Sequence, residues 1–482
     1  MREGKATMTR SSKSRSVVTS TVPTPGDNST IDPILEHLDT KGMSRRDVLR
    51  MSAVGLAMAG IGVACGNDDD AAAPAATAAP ATAAPTQTVA VVSRKEGRLA
   101  HLILTPNQYT RTMADAGRQC VEILGISAYT EGNTNLDPVN SVDLARQYIG
   151  SGHNMIWVSG IDGSEVRPIN QAATPAEAYH SQMWAAGPWF MPVDTNEFYT
   201  AFWDLHDPPN IYGSTKLMCQ EIVNRLGSAE GKIFHIAGFP GGSLAFRRTA
   251  GVHQAVDEFP TLTIVGELPG SWDPVLAQQA FQDLVGRHGK PDGVACSNDA
   301  MLTGVLPAAE GLGYTPGDDV LFCGQDGNPD ILENIQRGEV FSTNFHGPHS
   351  FAVHPITRMY DTLQGVEFGP IERQMWVNGI HVTQENVDGL ISRYYGAEDR
   401  LPFDPILASR VHNPDDWDPQ TSLAAIHLEE YWVGIADPPS GYQLPSDWSE
   451  AAAAGGIAET DALYESHYKI KMDNFDFTGV QL

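Results

Sequence analysis

Gly293-Val294-Ala295-Cys296-Ser297-Asn298-Asp299 is a short apolar run that ends in three polar residues, and the amphipathic pattern of residues 300–311 follows at once. An apolar run too short for a helix, closed by Ser-Asn-Asp and continued by a helical period, reads as a buried strand, a polar turn and a helix. The same sentence recurs along the chain. Strand-like runs fall at residues 99–104, 155–158, 189–193, 232–236, 262–265, 293–295 and 320–322, with helical patterns at 141–151, 215–226, 248–259, 274–288 and 300–311 between them. Strands that are apolar throughout and alternate with helices belong to a parallel sheet covered on both faces. The alternation breaks at Asp207-Pro208-Pro209 and then resumes. The expected fold is therefore α/β, with two similar parallel-sheet (Rossmann-like) lobes joined by a hinge and a ligand cleft between them.

Polar residues follow the strands in both halves: Thr105-Pro106-Asn107-Gln108-Tyr109, Ser159-Gly160-Ile161-Asp162, Asp194-Thr195-Asn196, Ser297-Asn298-Asp299 and Gly324-Gln325-Asp326-Gly327. In open parallel sheets ligands bind beyond the carboxyl ends of the strands. These segments should converge on one cleft.

The N-terminal part has a different character. Ser44-Arg45-Arg46-Asp47-Val48-Leu49-Arg50 precedes an apolar run, residues 51–64, that stops at Cys65. The run is shorter than the roughly 20 residues a membrane-spanning helix needs. Twin arginines, a short apolar segment and a cysteine read as an export signal ending in a lipid-attachment site. Residues 1–64 are then a leader. Residues 65–88, rich in Asp, Ala, Pro and Thr, are a flexible tether to an exported, membrane-anchored domain. The expected lobes are residues 89–206 with 347–378 and residues 207–346 with 379–387. Residues 388–482 carry Trp417, Trp432 and Trp448 but are cut by prolines, which predicts an irregular helical extension wrapping one lobe or the hinge.

Thirty-one Lys and Arg face 59 Asp and Glu, a net charge of −28. That balance opposes nucleic-acid or anionic-lipid binding, which needs clustered cations. With Cys65 assigned to lipid, Cys120, Cys219, Cys296 and Cys323 remain. They allow three full pairings, but small buried thiols are the expectation. There is no Cys-x-x-Cys and no His pair at helical spacing, so neither a metal nor another cofactor is expected.

An ordered series carries a resemblance: Asn107-x-Tyr109, Gly152-His153-Asn154-x-Ile156, Val193-Asp194, Arg248-x-x-Gly251, Ser297-Asn298-Asp299, Gly324-Gln325-Asp326-Gly327 and Arg337-Gly338. In that order the chain, over roughly three-fifths of its length, resembles the periplasmic sugar-binding proteins of the ribose-binding family, the extracellular receptors of ABC importers. The resemblance implies that Tyr109 and Trp272 sandwich a sugar ring, whose C–H faces suit aromatic contact. It implies that Asn107, Asp194, Arg248, Asn298 and Asp326 hydrogen-bond hydroxyls, with carboxylates accepting and a guanidinium donating. His346 completes the ring of contacts, and Ser159 stands where the family has a longer polar side chain. Helix capping is the other role open to Asp194 and Asp326. Trp184, Trp189 and Trp203 read as core.

One cationic and two anionic side chains favour a neutral polyol over an acidic sugar or an amino acid. The function implied is capture of a neutral sugar or cyclitol by a monomer that closes its lobes and delivers the ligand to a permease. A sensing receptor with the same fold is the alternative. A glycosidase built on Asp194 and Asp326 is remote, because no nucleophile triad, zinc spacing or phosphate loop accompanies them.

Overall fold

A computed structural model describes residues 95–396, 401–433 and 435–474. The leader, Cys65 and the tether lie outside the described residues. Among those described, no helix is long and apolar enough to cross a membrane.

The chain enters through β1 (Arg98–Ile103), whose last five residues are all buried. Its two faces pack against different partners, which is why the strand is apolar throughout. Ala100 and Leu102 meet Val142, Ala145, Ile156, Val158 and Ile169 on one side. Leu99 joins Met113, Cys120, Trp157 and Met183 on the other. Around it are β2 (Ala128–Asn133), β3 (Met155–Ser159), β4 (Tyr179–Met183) and β5 (Tyr199–Leu205). The second lobe is built on β6 (Gly231–Ala237), β7 (Leu262–Pro269), β8 (Gly293–Cys296) and β9 (Leu321–Cys323). It continues into β10 (Thr343–Phe345), after which β11 (Gln374–Val377), β12 (Ile380–Val382) and β13 (Leu423–Ala425) complete the strands.

The first sheet has the order β13-β11-β5-β4-β3-β1-β2, and the second β7-β6-β8-β9. Every pairing in them is parallel except β11 with β13. Helices Gln108–Leu124, Pro138–Gly150, Val166–Ala173 and Ser350–Leu363 cover the first sheet, and Pro209–Leu226, Ser243–Asp257, Pro274–His288 and Asp299–Gly311 the second. Such sheets, clothed on both faces, are the α/β arrangement expected from the pattern.

The chain crosses between the lobes three times: from β5 into Pro209–Leu226, from β10 into Ser350–Leu363, and from β11 into β12, which pairs antiparallel with β10. After helix Val387–Tyr394, β13 adds to the outer edge of β11, and helices Ser446–Ala453 and Gly456–His467 follow. Trp432 and Trp448 pack with Phe190, Met191 and Val193, so the aromatic residues of this last region are buried against the first lobe. Cys120, Cys219, Cys296 and Cys323 are free, buried thiols.

One expected strand is not a strand. Residues 189–193 form a single bridge, Gly187 to Phe190, and then a 3-10 turn, Pro192–Asp194. Pro192 has no N–H for a ladder, and the apolar side chains serve the contact with the C-terminal region instead. The strand that fills this place in the sheet is β4, Tyr-His-Ser-Gln-Met. Its polar side chains are buried but paired: His180 with Asn170 at 3.0 Å, Ser181 with the Ala201 carbonyl at 3.1 Å, and Gln182 with Glu165 at 2.9 Å. A buried strand satisfied this way carries no apolar signature.

Candidate functional site

Each lobe brings a helix N-terminus to the cleft, and each is capped by an asparagine. Asn107 Oδ1 accepts from the Thr110 N–H at 2.9 Å, and Thr110 Oγ1 accepts from the Asn107 N–H at 2.9 Å. Asn298 Oδ1 accepts from the Met301 N–H at 3.0 Å. Capping occupies the carbonyl end of each amide and leaves the donor end for the space between the lobes. That space is a cavity of about 440 Å³, within the roughly 300–1,000 Å³ usual for small-molecule sites.

Seven of the residues singled out from the sequence line this cavity: Asn107, Tyr109, Arg248, Trp272, Asn298, Asp326 and His346. Arg248 organises them. Its Nε donates to Asp207 Oδ2 at 3.0 Å, one terminal nitrogen donates to the Ser297 carbonyl at 2.6 Å, and the other to Asp326 Oδ1 at 3.2 Å. The same Asp326 oxygen lies 3.1 Å from His346 Nε2, and His346 Nδ1 lies 3.1 Å from the Tyr109 hydroxyl. The guanidinium also sits 5.5 Å from the centre of the Trp272 ring, within cation–π range. A continuous polar chain thus runs from Asp207 through Arg248, Asp326 and His346 to Tyr109, crossing from the second lobe to the first.

The electrostatics follow from burial. Burial works to lower the Arg248 pKa, but Asp326 and Asp207 outweigh it and hold the guanidinium above its ordinary value. Burial pushes the His346 pKa down, with Asp326 acting against it. Burial and then the Asp326 charge push the Tyr109 hydroxyl well up. The one cation faces two carboxylates, so no unpaired positive charge is left in the network to select an anionic ligand.

Two of the sequence-derived residues are elsewhere. Asp194 ends the 3-10 turn, where its carboxylate accepts from the Met191 N–H at 3.0 Å and from the Tyr442 hydroxyl at 2.7 Å. The Val193-Asp194 match therefore falls outside the cleft, because the strand it presumes is absent. Ser159 closes β3 and is fully buried, its hydroxyl 3.4 Å from His101 Nε2. Gly160 and Ile161, the next two residues, reach the cavity instead.

Two residues that matter were not read from the sequence as site residues. Trp184, the residue after β4, lines the cavity, while Trp189 packs near Trp432 and Tyr442 and Trp203 stacks on His354. The Trp184 indole N–H is buried with no protein partner, which suits a donor awaiting a ligand acceptor. Asp207, buried beneath Arg248, is the second carboxylate of the network. The sequence did mark it, as the residue before Pro208-Pro209 where the strand–helix alternation breaks.

Backbone strain collects at the same place. Trp184 (φ 68°), Trp272 (φ 63°) and Asp326 (φ 124°) hold left-handed conformations that bulky or branched side chains avoid. Each costs on the order of 1–3 kcal/mol and persists only where surrounding structure enforces it. The Trp272 ring lies so close to Gly238 that a Cβ there would stand 2.2 Å from it. Glycine at 238 lets the ring pack directly against the backbone there.

Residues 209–367 match the family model described as "Periplasmic binding protein domain". This is the two-lobed fold of the periplasmic binding proteins. Proteins of that family bind solutes rather than transform them. Among curated relatives, the chain is 25% identical over 166 residues to the D-allose-binding periplasmic protein of Escherichia coli, covering 34% of this chain and 53% of that protein. It is 24% identical over 181 residues to a D-apiose import binding protein of Paraburkholderia graminis, covering 38% and 56%. The chain thus spans about half the length of the curated relatives it matches. A solved structure, the "Twin-arginine translocation pathway signal protein from Burkholderia phytofirmans", superposes with a TM-score of 0.56 at 20% identity over 63% of this chain and 94% of that one. At that identity the likeness speaks for the fold.

Proposed function

We propose that the chain captures a neutral sugar or cyclitol between its lobes and presents it to an ABC permease, as an exported protein anchored through lipid on Cys65. The observation that carries this reading is the chemistry of the cavity. Aromatic faces (Tyr109, Trp184, Trp272) stand around a charge-matched polar cluster (Arg248, Asp326, His346), with an amide donor offered by each lobe. Aromatic faces suit the C–H face of a sugar ring. Charge-assisted donors and acceptors suit hydroxyls, each of which both donates and accepts. The relatives' names, allose-binding and apiose-import, point to the same class.

The mechanism is population shift. Ligand contacts drawn from both lobes are complete only when the lobes are together, so ligand favours the closed state by the free energy of those contacts. The test is a thermal-shift screen of the purified chain against pentoses, hexoses, cyclitols, nucleosides and amino acids. A ligand that binds only the folded state must raise Tm. A rise with a neutral sugar or cyclitol, abolished in Asp326→Ala, is the expected result. A rise confined to an amino acid or nucleoside would overturn the ligand class and leave the fold intact.

A further inference from the structure

On the far side of Ser297 from Arg248, three side chains from three different elements converge. His235 on β6 and Glu267 on β7 are register partners across the parallel pair. His235 Nδ1 lies 2.9 Å from Glu267 Oε2. His253, on the helix Ser243–Asp257 that packs over these strands, brings its Nε2 within 2.7 Å of the same oxygen. The three ligand atoms all lie within 4.8 Å of one another, and the two imidazole planes are almost perpendicular, at 86°.

We propose that His235 Nδ1, His253 Nε2 and the Glu267 carboxylate form a zinc site in the second lobe. Two imidazole nitrogens and one carboxylate are the borderline donor set that suits zinc, whereas magnesium and calcium prefer oxygen alone. The buried member is held by a second layer: His235 Nε2 lies 3.0 Å from Ser297 Oγ. With a metal on Nδ1, the Nε2–H would donate to this hydroxyl, the arrangement usual for a metal-bound histidine. Among the described residues the ion pairs of Glu267 are those with the two histidines, and no lysine or arginine pairs with it.

Access and geometry point the same way. His235 is buried while the side chains of His253 and Glu267 are 48% and 37% exposed. Metal can enter from solvent, and a fourth position stays open to water, as in three-ligand zinc sites. Bound metal would join the helix to β6 and β7. That helix carries Arg248, and the Ser297 that steadies His235 also gives its carbonyl to Arg248. The donors are far apart in sequence and on three elements, so no spacing motif announces them.

The experiment uses the purified full chain, loaded with zinc chloride, dialysed against metal-free buffer and assayed for bound metal, with Tm recorded before and after loading. Wild type should retain about one zinc ion per chain and melt higher with zinc than without, with no such rise in magnesium chloride. His253→Ala and Glu267→Gln replace partly exposed side chains, and His253→Ala in particular should leave the metal-free Tm near that of wild type. Both should lose the retained zinc and the zinc-dependent rise. Failure of wild type to retain zinc would overturn the site, as would equal retention by His253→Ala or loss in only one of the two variants. Should Glu267→Gln fail to fold, the His253→Ala comparison decides alone.

Discussion

Arg247 and Arg248 are neighbours on one helix, and both are buried against carboxylates, yet they belong to different parts of the molecule. Arg247 turns toward the first lobe and the C-terminal region. It pairs with Asp204 on β5 and lies 3.2 Å from the Tyr431 hydroxyl, which itself donates to Asp204 at 2.7 Å. Its guanidinium stands 4.4 Å from the Tyr431 ring centre and 5.2 Å from that of Trp376. None of these partners lines the cavity. Arg248 turns the other way and shares itself between Asp207 and Asp326, of which Asp326 faces the cavity. One cation ties its helix to β5 and the C-terminal region, away from the cavity. The other is held where a ligand can enter its network. Burial and charge pairing alone do not distinguish structure from function; the difference lies in what the partner's other face can reach.

The largest expected effect involves neither arginine, since both stay charged throughout the accessible pH range. His180, His349 and His354 are buried, and burial lowers each from 6.5 to about 3. The folded values are depressed, so these groups contribute stability that is complete above pH 6.5 and is lost as pH falls from there toward 3. At pH 4.5 the loss should be on the order of 3 kcal/mol per histidine. Urea midpoints measured between pH 7 and pH 4 should fall steeply in wild type and less steeply in His354→Gln. In Arg247→Met the deficit should be largest near pH 7 and shrink as pH falls, because burial already raises Asp204 to about 6 and loss of its cation raises it further, so protonation relieves the stranded charge. A deficit that stays constant across that range would mean that Asp204 does not carry the stranded charge.

Next comes the direct contrast. Arg247→Met leaves Asp204 buried without its cation and should cost about 3–5 kcal/mol in chemical denaturation. Asp204→Asn in the same chain should restore part of that, because the stranded charge is removed. Ligand affinity in the double variant should stay within about tenfold of wild type. Arg248→Met should also destabilise, but its distinguishing effect is on binding. Loss of a charged network member that meets the ligand should weaken affinity by a hundredfold or more, on the order of 3 kcal/mol. If calorimetry showed both variants losing affinity equally, the division between the two arginines would fail. A smaller effect is expected from Trp184→Phe, which keeps a ring against the ligand but removes the unpartnered N–H. One hydrogen bond is worth about 0.5–1.5 kcal/mol, so affinity should fall roughly three- to tenfold with Tm little changed.

The sequence made the second lobe more legible than the first, for a physical reason. β8 and β9 are buried apolar runs closed by polar turns, and helix Pro274–His288 begins and ends where its Pro and Gly289 boundaries place it. Asn298, Asp326, Arg248 and Trp272, all from this lobe and all named through the resemblance, line the cavity. In the first lobe, β2 is half-exposed and polar, and β4 buries polar side chains satisfied by partners distant in sequence. Hydrophobic periodicity cannot register either. The reading moved instead to the most apolar run nearby, residues 189–193, whose burial is supplied by the C-terminal region. That displacement took Trp184 out of the expected site and put Asp194 in. Asp207 was legible only as a break in the pattern, since nothing local shows that an arginine some forty residues on will need it.

Asp194 gives the smallest and most discriminating prediction. Its carboxylate already has the Met191 N–H and the Tyr442 hydroxyl as donors, and it lies off the cavity. In Asp194→Asn one oxygen is retained as an acceptor and the other becomes an amide that cannot accept from its former donor. The cost should be one hydrogen bond, about 0.5–1.5 kcal/mol of stability, with ligand affinity unchanged. Asp326→Asn keeps the same shape change but places it where Arg248 and His346 share an oxygen beside the cavity, so affinity should fall while stability changes comparably. Two Asp-to-Asn changes of equal chemistry thus separate residues that read alike in the sequence. Should Asp194→Asn weaken binding as much as Asp326→Asn, the first-lobe wall would have to include the 3-10 turn. Trp184 would then lose its place as that wall's principal contact.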